Sequence, residues 1–280
     1  IWAAFVTSGD VTNPLVSTAW ATLPDLQAKI DAAADNATIT LDSNTEIAAT
    51  LQITKNLTLD LNGCTLRTQK PITDSSAAKS GTITGGNAEY GGGVYVDDYA
   101  ALKMTGGCIT GCHASRGGGG IYSSGNLYMG GTAKIEKCTG SDDAIWNREN
   151  SDIYADGGTV DGTVNNQGTI KRSEGAAAVT VFNGTVYNRS AGTIIAGIYN
   201  GTVENNGTIS GGTFCGGVTI RKGSWVWERT GSISGGTFYS SIVNEAGPER
   251  VTGVTFAVTF DRGDGTKTEP TPVKYNDLVP

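Results

Sequence analysis

The sequence is short of charge, proline and long apolar runs, and each shortage excludes a class of protein. Only 17% of the 280 residues are charged and the net charge is -7, so there is no basic stripe to bind nucleic acid. The 7 prolines and the lack of a Gly-X-Y period exclude a proline-rich linker and collagen. No apolar run reaches the roughly 18 residues of a membrane-spanning helix. We therefore expect no nucleic-acid partner and no transmembrane span.

The chain also lacks the paired cysteines of a structural zinc site. Its 5 cysteines are odd in number and include no C-x-x-C motif. Cys108, Cys112 and His113 have zinc-like spacing, but such a site needs four ligands and no second pair follows. We interpret most of these thiols as small buried residues inside the fold, with metal binding or a disulfide as the alternatives.

Glycine, threonine, asparagine and serine take the place of the charged residues. The chain has 41 glycines, and its short alternating segments, such as 37–41, 51–53 and 57–61, are typical of strands joined by tight turns. One segment, residues 23–34, places its apolar side chains on one face of a helix, with Thr22 as a plausible N-cap. The composition therefore favours an all-β fold with one short helix.

Internal repetition decides the kind of all-β fold. Three markers return at a spacing of 25 to 27 residues: 91–95 at 118–122, Leu102–Met104 at Leu127–Met129, and Ile109 at Ile135. After Asp156 the marker becomes Gly-Thr-apolar and recurs at irregular intervals of 4 to 24 residues. Repeats of this length indicate a solenoid, in which stacked coils share one core that a single coil cannot form.

The predicted solenoid assigns a role to the glycines, the asparagines and the helix. Glycines supply the backbone angles of sharp corners, and the 23–34 helix covers one open end of the stacked strands. Asparagines tolerate left-handed backbone and are expected to stack in ladders between coils. These asparagines are Asn165, Asn166, Asn188, Asn200 and Asn205.

Three segments resemble known families. Residues 21–66, with a short helix and then strands ending in Leu-Asp-Leu-Asn-Gly, resemble the entry into pectin-lyase-like right-handed β-helices. Residues 86–138, with two Gly-Gly-Gly-apolar-Tyr copies, are similar to coils of bacterial surface β-helices, including polymorphic outer-membrane-type adhesins. Residues 257–280 resemble the opening of an internalin-B-type (Listeria–Bacteroides) repeat, because Val-Thr-Phe-Asp is followed by a glycine turn and a Val-x-Tyr strand.

Together the resemblances imply a right-handed parallel β-helix with a short N-terminal capping α-helix. They divide the chain into an N-terminal segment and capping helix at 1–36, a β-helix at 37–257, and the start of a β-rich surface repeat at 258–280. They also imply an extracellular protein of a Gram-positive, gut-type bacterium, attached to the cell surface through regions beyond residue 280.

Enzymes that act on polysaccharides suggest one set of candidate residues. Polygalacturonase-like enzymes combine acidic pairs with Gly-His-Gly and Arg-x-Lys motifs, and this chain has only the acidic pairs Asp97-Asp98 and Asp142-Asp143. Adjacent aspartates on a strand point to opposite faces, so a catalytic pair would have to combine carboxylates from different coils. Solvated turn residues are the alternative interpretation of all four.

Pectate lyases, the other enzyme class of the resembling fold, use calcium held by acidic residues and a basic residue that removes a proton. Arg116, Lys134 and Lys137 lie near acidic residues of the repeat region, but their spacing does not assemble them into a site. No cofactor or metal is predicted, because no motif supports calcium.

Aromatic residues are the candidates for ligand binding. Trp225 and Trp227 alternate on one strand and so share a face. Tyr95 and Tyr122 would stack on neighbouring coils, as would Trp146 and Tyr154 if the period holds. Packing in the core or at a corner is the alternative role for these rings.

Three functions follow from these observations. The first is a non-catalytic extracellular adhesin or surface protein that binds a host or dietary glycan, or another surface protein. The second is a polysaccharide lyase or glycoside hydrolase on a pectin-lyase-like β-helix. The third is a structural stalk.

Overall fold

The computed structural model describes residues 21–22, 26–47, 51–53, 57–68, 72–74, 81–140, 144–223, 230–246, 250–252, 255–258 and 271–274. Within these ranges the chain is a parallel β-solenoid with one short α-helix, which confirms the predicted fold class. Every strand pairing in the described residues is parallel except one at the C-terminal end. Among the same residues, no helix is long and apolar enough to cross a bilayer.

The first face of the solenoid is an 11-stranded sheet that takes one strand from each coil. In its three-residue strands the first and third side chains point into the core and the second points away from it, as several buried–intermediate–buried patterns show. In spatial order the strands are β1 (Ala21–Thr22), β3 (Thr45–Ile47), β6 (Leu66–Thr68), β10 (Val94–Val96), β14 (Ile121–Ser123), β17 (Ile145–Asn147), β19 (Val164–Asn166), β22 (Val186–Asn188), β25 (Val203–Asn205), β28 (Val218–Ile220) and β31 (Ile242–Asn244).

The second face follows the first along each coil. Its strands pair in parallel from coil to coil and run over β4 (Leu51–Ile53), β7 (Ile72–Asp74), β11 (Ala101–Met104), the first part of β15 (Asn126–Glu136), the first part of β18 (Asp152–Asp161), β20 (Thr169–Lys171), β23 (Thr193–Ile194), β26 (Thr208–Ile209) and β29 (Ser232–Ile233).

The third face completes the coil, and a small additional sheet widens some coils before the chain returns to the first face. The third face contains β2 (Ala37–Thr40), β5 (Leu57–Asp60), β8 (Thr82–Thr84), β12 (Cys108–Thr110), the later parts of β15 and β18, β21 (Val181–Phe182), β24 (Ile198–Tyr199), β27 (Thr213–Phe214), β30 (Thr237–Phe238), β32 (Thr255–Val258) and its antiparallel partner β33 (Thr271–Lys274). The additional sheet contains β9 (Asn87–Tyr90), β13 (His113–Gly117) and β16 (Thr139–Gly140).

The helix α1 (Leu26–Ala32) contributes apolar side chains to the core of the solenoid. Leu26 and Ile30 are buried within the same core cluster as the strands. The helix ends two residues before the predicted Ala34, because Asn36 takes a left-handed conformation (φ 66°) that turns the chain into β2. The first predicted helical residues, 23–25, lie outside the described residues.

The repeated markers of the sequence are residues that pair in register between coils. Val94 pairs with Ile121 on the first face, Leu102 with Leu127 on the second, and Ile109 with Ile135 on the third. The marker glycines lie at a tight corner: a Cβ atom added to Gly92 would stand 2.2 Å from the His113 carbonyl oxygen. The Gly-Gly-Gly motif is therefore required by the close approach of consecutive coils.

Two ladders run through the interior. Buried asparagine amides donate from coil to coil, from Asn147 to Asn166 (2.8 Å), from Asn166 to Asn188 (2.8 Å), and from Asn188 to Asn205 (2.7 Å). A stack of buried rings lies on the third face and contains Phe182, Tyr199, Phe214 and Phe238, with centroids 4.6–5.0 Å apart. The predicted asparagine ladder is thus present.

Two of the predicted ladder members lie elsewhere. Asn165 is the outward residue of its strand, and its Oδ1 accepts a hydrogen bond from Arg189 Nε at 2.7 Å. Asn200 donates to Asn183 Oδ1 (2.9 Å) in a separate, exposed pair. Asn165 differs because neighbouring residues of a strand point to opposite sides of it, and Asn200 differs because it follows β24 on the third face.

Candidate functional site

Three outward rings form a continuous row on the first face, here called the aromatic row: Tyr95, Tyr122 and Trp146. They are the central residues of β10, β14 and β17 and pair in register. Tyr95 and Tyr122 stack with centroids 5.0 Å apart, and Tyr122 and Trp146 stack at 6.3 Å. The solenoid register therefore stacks Tyr95 on Tyr122 on its outer surface, as their spacing in the sequence predicted. The predicted stacking of Trp146 with Tyr154 is wrong, because Tyr154 lies on the second face.

Neighbouring groups fix the aromatic row on both sides. A Cβ atom added to Gly117 would stand 2.6 Å from the Trp146 ring, so only glycine leaves room for the indole there. At the other end, the Arg67 guanidinium lies 5.6 Å from the Tyr95 ring centroid. The same guanidinium forms an ion pair of 2.6 Å with Asp97. The row is thus held at both ends.

Close packing leaves mainly edges and hydroxyls of the row at the surface. Tyr122 is only 8% exposed, since Tyr90 packs against it at 4.9 Å in addition to its two stacking partners. Burial raises the pKa of the Tyr122 phenol, and the nearby Arg148 partly opposes this increase. The phenol is therefore neutral at physiological pH and can both donate and accept a hydrogen bond.

A notch lies beside the aromatic row, at the corner between the first and second faces. Two four-residue loops, 97–100 and 148–151, protrude on either side of the two-residue loop 124–125. The longer loops therefore wall a depression of about 370 Å³, here called the corner notch. It is lined by Asp98, Tyr99, Ala100, Ser124, Gly125, Asn126, Arg148, Glu149 and Asn150.

The corner notch is polar and has charges of both signs. Asp98, Arg148 and Glu149 are exposed at its walls. Tyr99 is fully exposed and has a left-handed backbone (φ 64°), which bulky residues seldom adopt. The Ser124 hydroxyl is buried and has no hydrogen-bond partner among the described residues. An exposed ring on a strained backbone and an unsatisfied hydroxyl therefore line the same depression.

A second stacked pair lies on the far side of the notch, on the second face. Tyr128 and Tyr154 stack with centroids 4.2 Å apart and ring planes 7° apart. Lys171 lies 4.8 Å from the Tyr154 ring centroid and pairs with Asp152 at 2.7 Å. Burial raises the pKa of the Tyr128 phenol, and a hydrogen bond with Tyr154 adds to this increase. The notch is therefore flanked by stacked rings on two faces.

The acidic candidates from the sequence separate in the structure. Asp97 forms the ion pair with Arg67, whereas the adjacent Asp98 lines the corner notch. Asp142 and Asp143 lie outside the described residues.

Of the remaining candidates, some lie outside the described residues and others form ion pairs. Trp225 and Trp227 also lie outside the described residues. Arg116, considered as a lyase base, pairs with Glu89 at 2.9 Å, and Lys134 pairs with Glu136 at 2.5 Å. In the described ranges, no three His, Cys, Asp or Glu side chains come together in a way that could hold a metal ion.

Sequence reasoning missed Tyr99, Arg148, Glu149 and Asn150. These residues belong to no repeat marker, so the markers give no reason to select them. One signal is present nonetheless, because the first- and second-face markers are separated by four, two and four residues in successive coils. That alternation is what opens the notch.

No protein-family model, curated protein or solved structure matches this chain.

Proposed function

We propose that the protein is a non-catalytic, extracellular glycan-binding protein of the adhesin type, and that the glycan binds in the corner notch against the aromatic row. The observation that carries the proposal is a polar notch of about 370 Å³, which is the size of a small-ligand site, beside a fixed row of rings. A sugar presents hydroxyls that donate and accept hydrogen bonds, together with apolar C–H faces. The polar groups of the notch supply hydrogen-bond partners, and the exposed Tyr99 ring offers a face for the C–H groups.

The scaffold favours binding because it holds the site rigid before the ligand arrives. The notch loops are two or four residues long, and each joins two strands that are hydrogen-bonded to neighbouring coils. Little conformational entropy is then lost when a ligand binds. A host or dietary glycan is the proposed partner, and a bacterial cell surface is the proposed location. A protein ligand would use the same two faces.

Arg148 provides the first test of glycan binding. Arg148→Ala is expected to weaken binding of a glycan identified on an array by about tenfold, since a charged hydrogen bond contributes about 1.5–3 kcal/mol. Arg189→Ala is the matched control, because Arg189 begins the equivalent corner loop two coils further on and is absent from the notch lining. Titration calorimetry of both variants measures the difference. Equal affinities for the two variants would place the ligand elsewhere.

One observation favours the enzymatic alternative. Asp98 and Glu149 line the same notch from loops two coils apart. The strand spacing separates the backbones of these two loops by about 10 Å. Inverting glycosidases place their two carboxyl groups about 6.5–9.5 Å apart, so this pair is the carboxylate combination that could act on a bound sugar.

Release of new reducing ends tests this alternative. We expect the wild-type protein to release none from plant, microbial and mucin polysaccharides, with or without calcium, because binding is its function. Release that is lost in both Asp98→Asn and Glu149→Gln, but retained in the exposed control Glu174→Gln, would establish a hydrolase and overturn the non-catalytic proposal.

A further inference from the structure

Two cysteines occupy matching positions on consecutive coils. His113 pairs in register with Thr139, and the Thr139 amide donates to the Cys112 carbonyl at 2.9 Å. Cys112 and Cys138 therefore face each other one position earlier. Neighbouring strands lie about 4.8 Å apart, which is within the range of about 4.4–6.8 Å between the Cα atoms of a disulfide.

The two sulfur atoms also lie on the same side of the corner. Cys138 Sγ is 3.7 Å from the Ile109 carbonyl oxygen, which belongs to the coil of Cys112. A Cβ added to Gly93 would stand 3.3 Å from Cys112 Sγ, and one added to Gly120 would stand 3.2 Å from Cys138 Sγ. Each thiol therefore packs against the equivalent marker glycine of its own coil, and the two are stacked.

The thiols interact directly and differ in acidity. A hydrogen bond from the Cys138 thiol lowers the pKa of Cys112, while the same bond and burial raise the pKa of Cys138. Cys112 is 1% exposed, whereas Cys138 is only partly buried. The pair thus combines a buried thiol whose pKa is lowered with one that solvent can reach.

We propose that Cys112 and Cys138 form a disulfide that links the two coils carrying Tyr95 and Tyr122. Both thiols lose a proton and an electron as the S–S bond forms. An external disulfide, such as oxidised glutathione, accepts both electrons and both protons and leaves as two thiols. The cross-link closes a loop that includes the Gly-Gly-Gly corner and part of the notch, and so fixes the spacing of the two rings.

The other cysteines have no comparable partner position. Cys108 lies on the outward side of β12, where burial raises its pKa to about 11. Its in-register partner on the next coil is Lys134. Cys215 is exposed at a distant coil, and Cys64 packs against the core near the N-terminal end. A specific cross-link between residues 112 and 138 is therefore expected.

Peptide mapping of the whole chain tests the proposal. The reduced protein is exposed to oxidised glutathione and then unfolded in the presence of an alkylating agent, so that buried thiols also react, and the peptides are compared with and without reductant. We expect one linked pair containing residues 112 and 138, a loss of two hydrogen atoms, and two fewer alkylated thiols. Oxidation should also raise Tm by several degrees in the wild type and in Cys108→Ser, but not in Cys138→Ser.

Two outcomes would overturn the disulfide. One is full alkylation of both cysteines when the oxidised protein is unfolded with the alkylating agent present, and the other is a link through Cys108 in place of Cys112. The variants Cys112→Ser and Cys138→Ser are compared with the reduced wild type by circular dichroism, so that a folding defect is distinguished from a lost cross-link. Because wild-type protein alone gives the mapping result, a variant that fails to fold leaves the test intact.

Discussion

Replacing Asn166 by alanine is expected to lower the free energy of unfolding by about 3 kcal/mol, because two buried polar groups lose a partner at once. The Asn166 side chain accepts from Asn147 Nδ2 and donates to Asn188 Oδ1, both at 2.8 Å. All three residues are fully buried, so water cannot replace the missing amide without opening the coil. Each buried polar group left unpaired costs about 1–3 kcal/mol.

Equilibrium unfolding in urea, followed by circular dichroism, measures this loss. Asn200→Ala is the matched control, since Asn200 also bonds an asparagine of the preceding coil but at the exposed surface. Its change is expected to stay within about 0.5 kcal/mol. Equal losses for the two variants would mean that the buried ladder contributes no more than a solvent-exposed pair.

Replacing Phe214 by alanine is expected to cost about 3–5 kcal/mol, the largest effect of any single change considered for this chain. Its ring is fully buried between Tyr199, at 4.9 Å, and Phe238, at 4.6 Å. Alanine removes both stacking contacts and leaves a cavity between two rings that neighbouring coils hold apart. The strands on either side are fixed by their ladders, so they cannot collapse into the space.

The same urea experiment, with hydrogen exchange added, measures the Phe214 effect. Val243→Ala is the control, because Val243 is 51% exposed on the first face and should change stability by less than about 0.5 kcal/mol. Exchange is expected to accelerate most in β24, β27 and β30, since a coil interacts only with its neighbours. Uniform acceleration along the whole solenoid would contradict this nearest-neighbour account.

The fold could be predicted because the repeat markers of the sequence are the residues that pair in register between coils. Ile109 and Ile135 lie 26 residues apart in the sequence and share the same residue type. In the structure they are in-register core partners. Burial explains this success: an inward position admits only a residue that packs against the equivalent one above and below. Outward positions carry the same period, so the stacking of Tyr95 and Tyr122 was predictable too.

The corner notch could not be predicted in the same way, because it is formed by loop residues that belong to no repeat marker. Asp97 and Asp98 are identical neighbours in the sequence, yet one pairs with Arg67, 30 residues earlier, and the other faces the notch. Only the three-dimensional stacking of loops decides between them. Glu149 joins Asp98 for the same reason, since loop length, and not residue pattern, brings the two carboxylates to one depression.

Coil length has no fixed value in this protein. In-register partners are 15 residues apart between Val203 and Val218 but 28 apart between Leu66 and Val94. The added strand β9 accounts for part of this difference, and the paired strands keep their register. Insertions and exchanges at a corner therefore leave the ladders intact. A lineage built on this scaffold is expected to diversify fastest in its corner loops, altering the surface that the corners present while its inward residues stay constant.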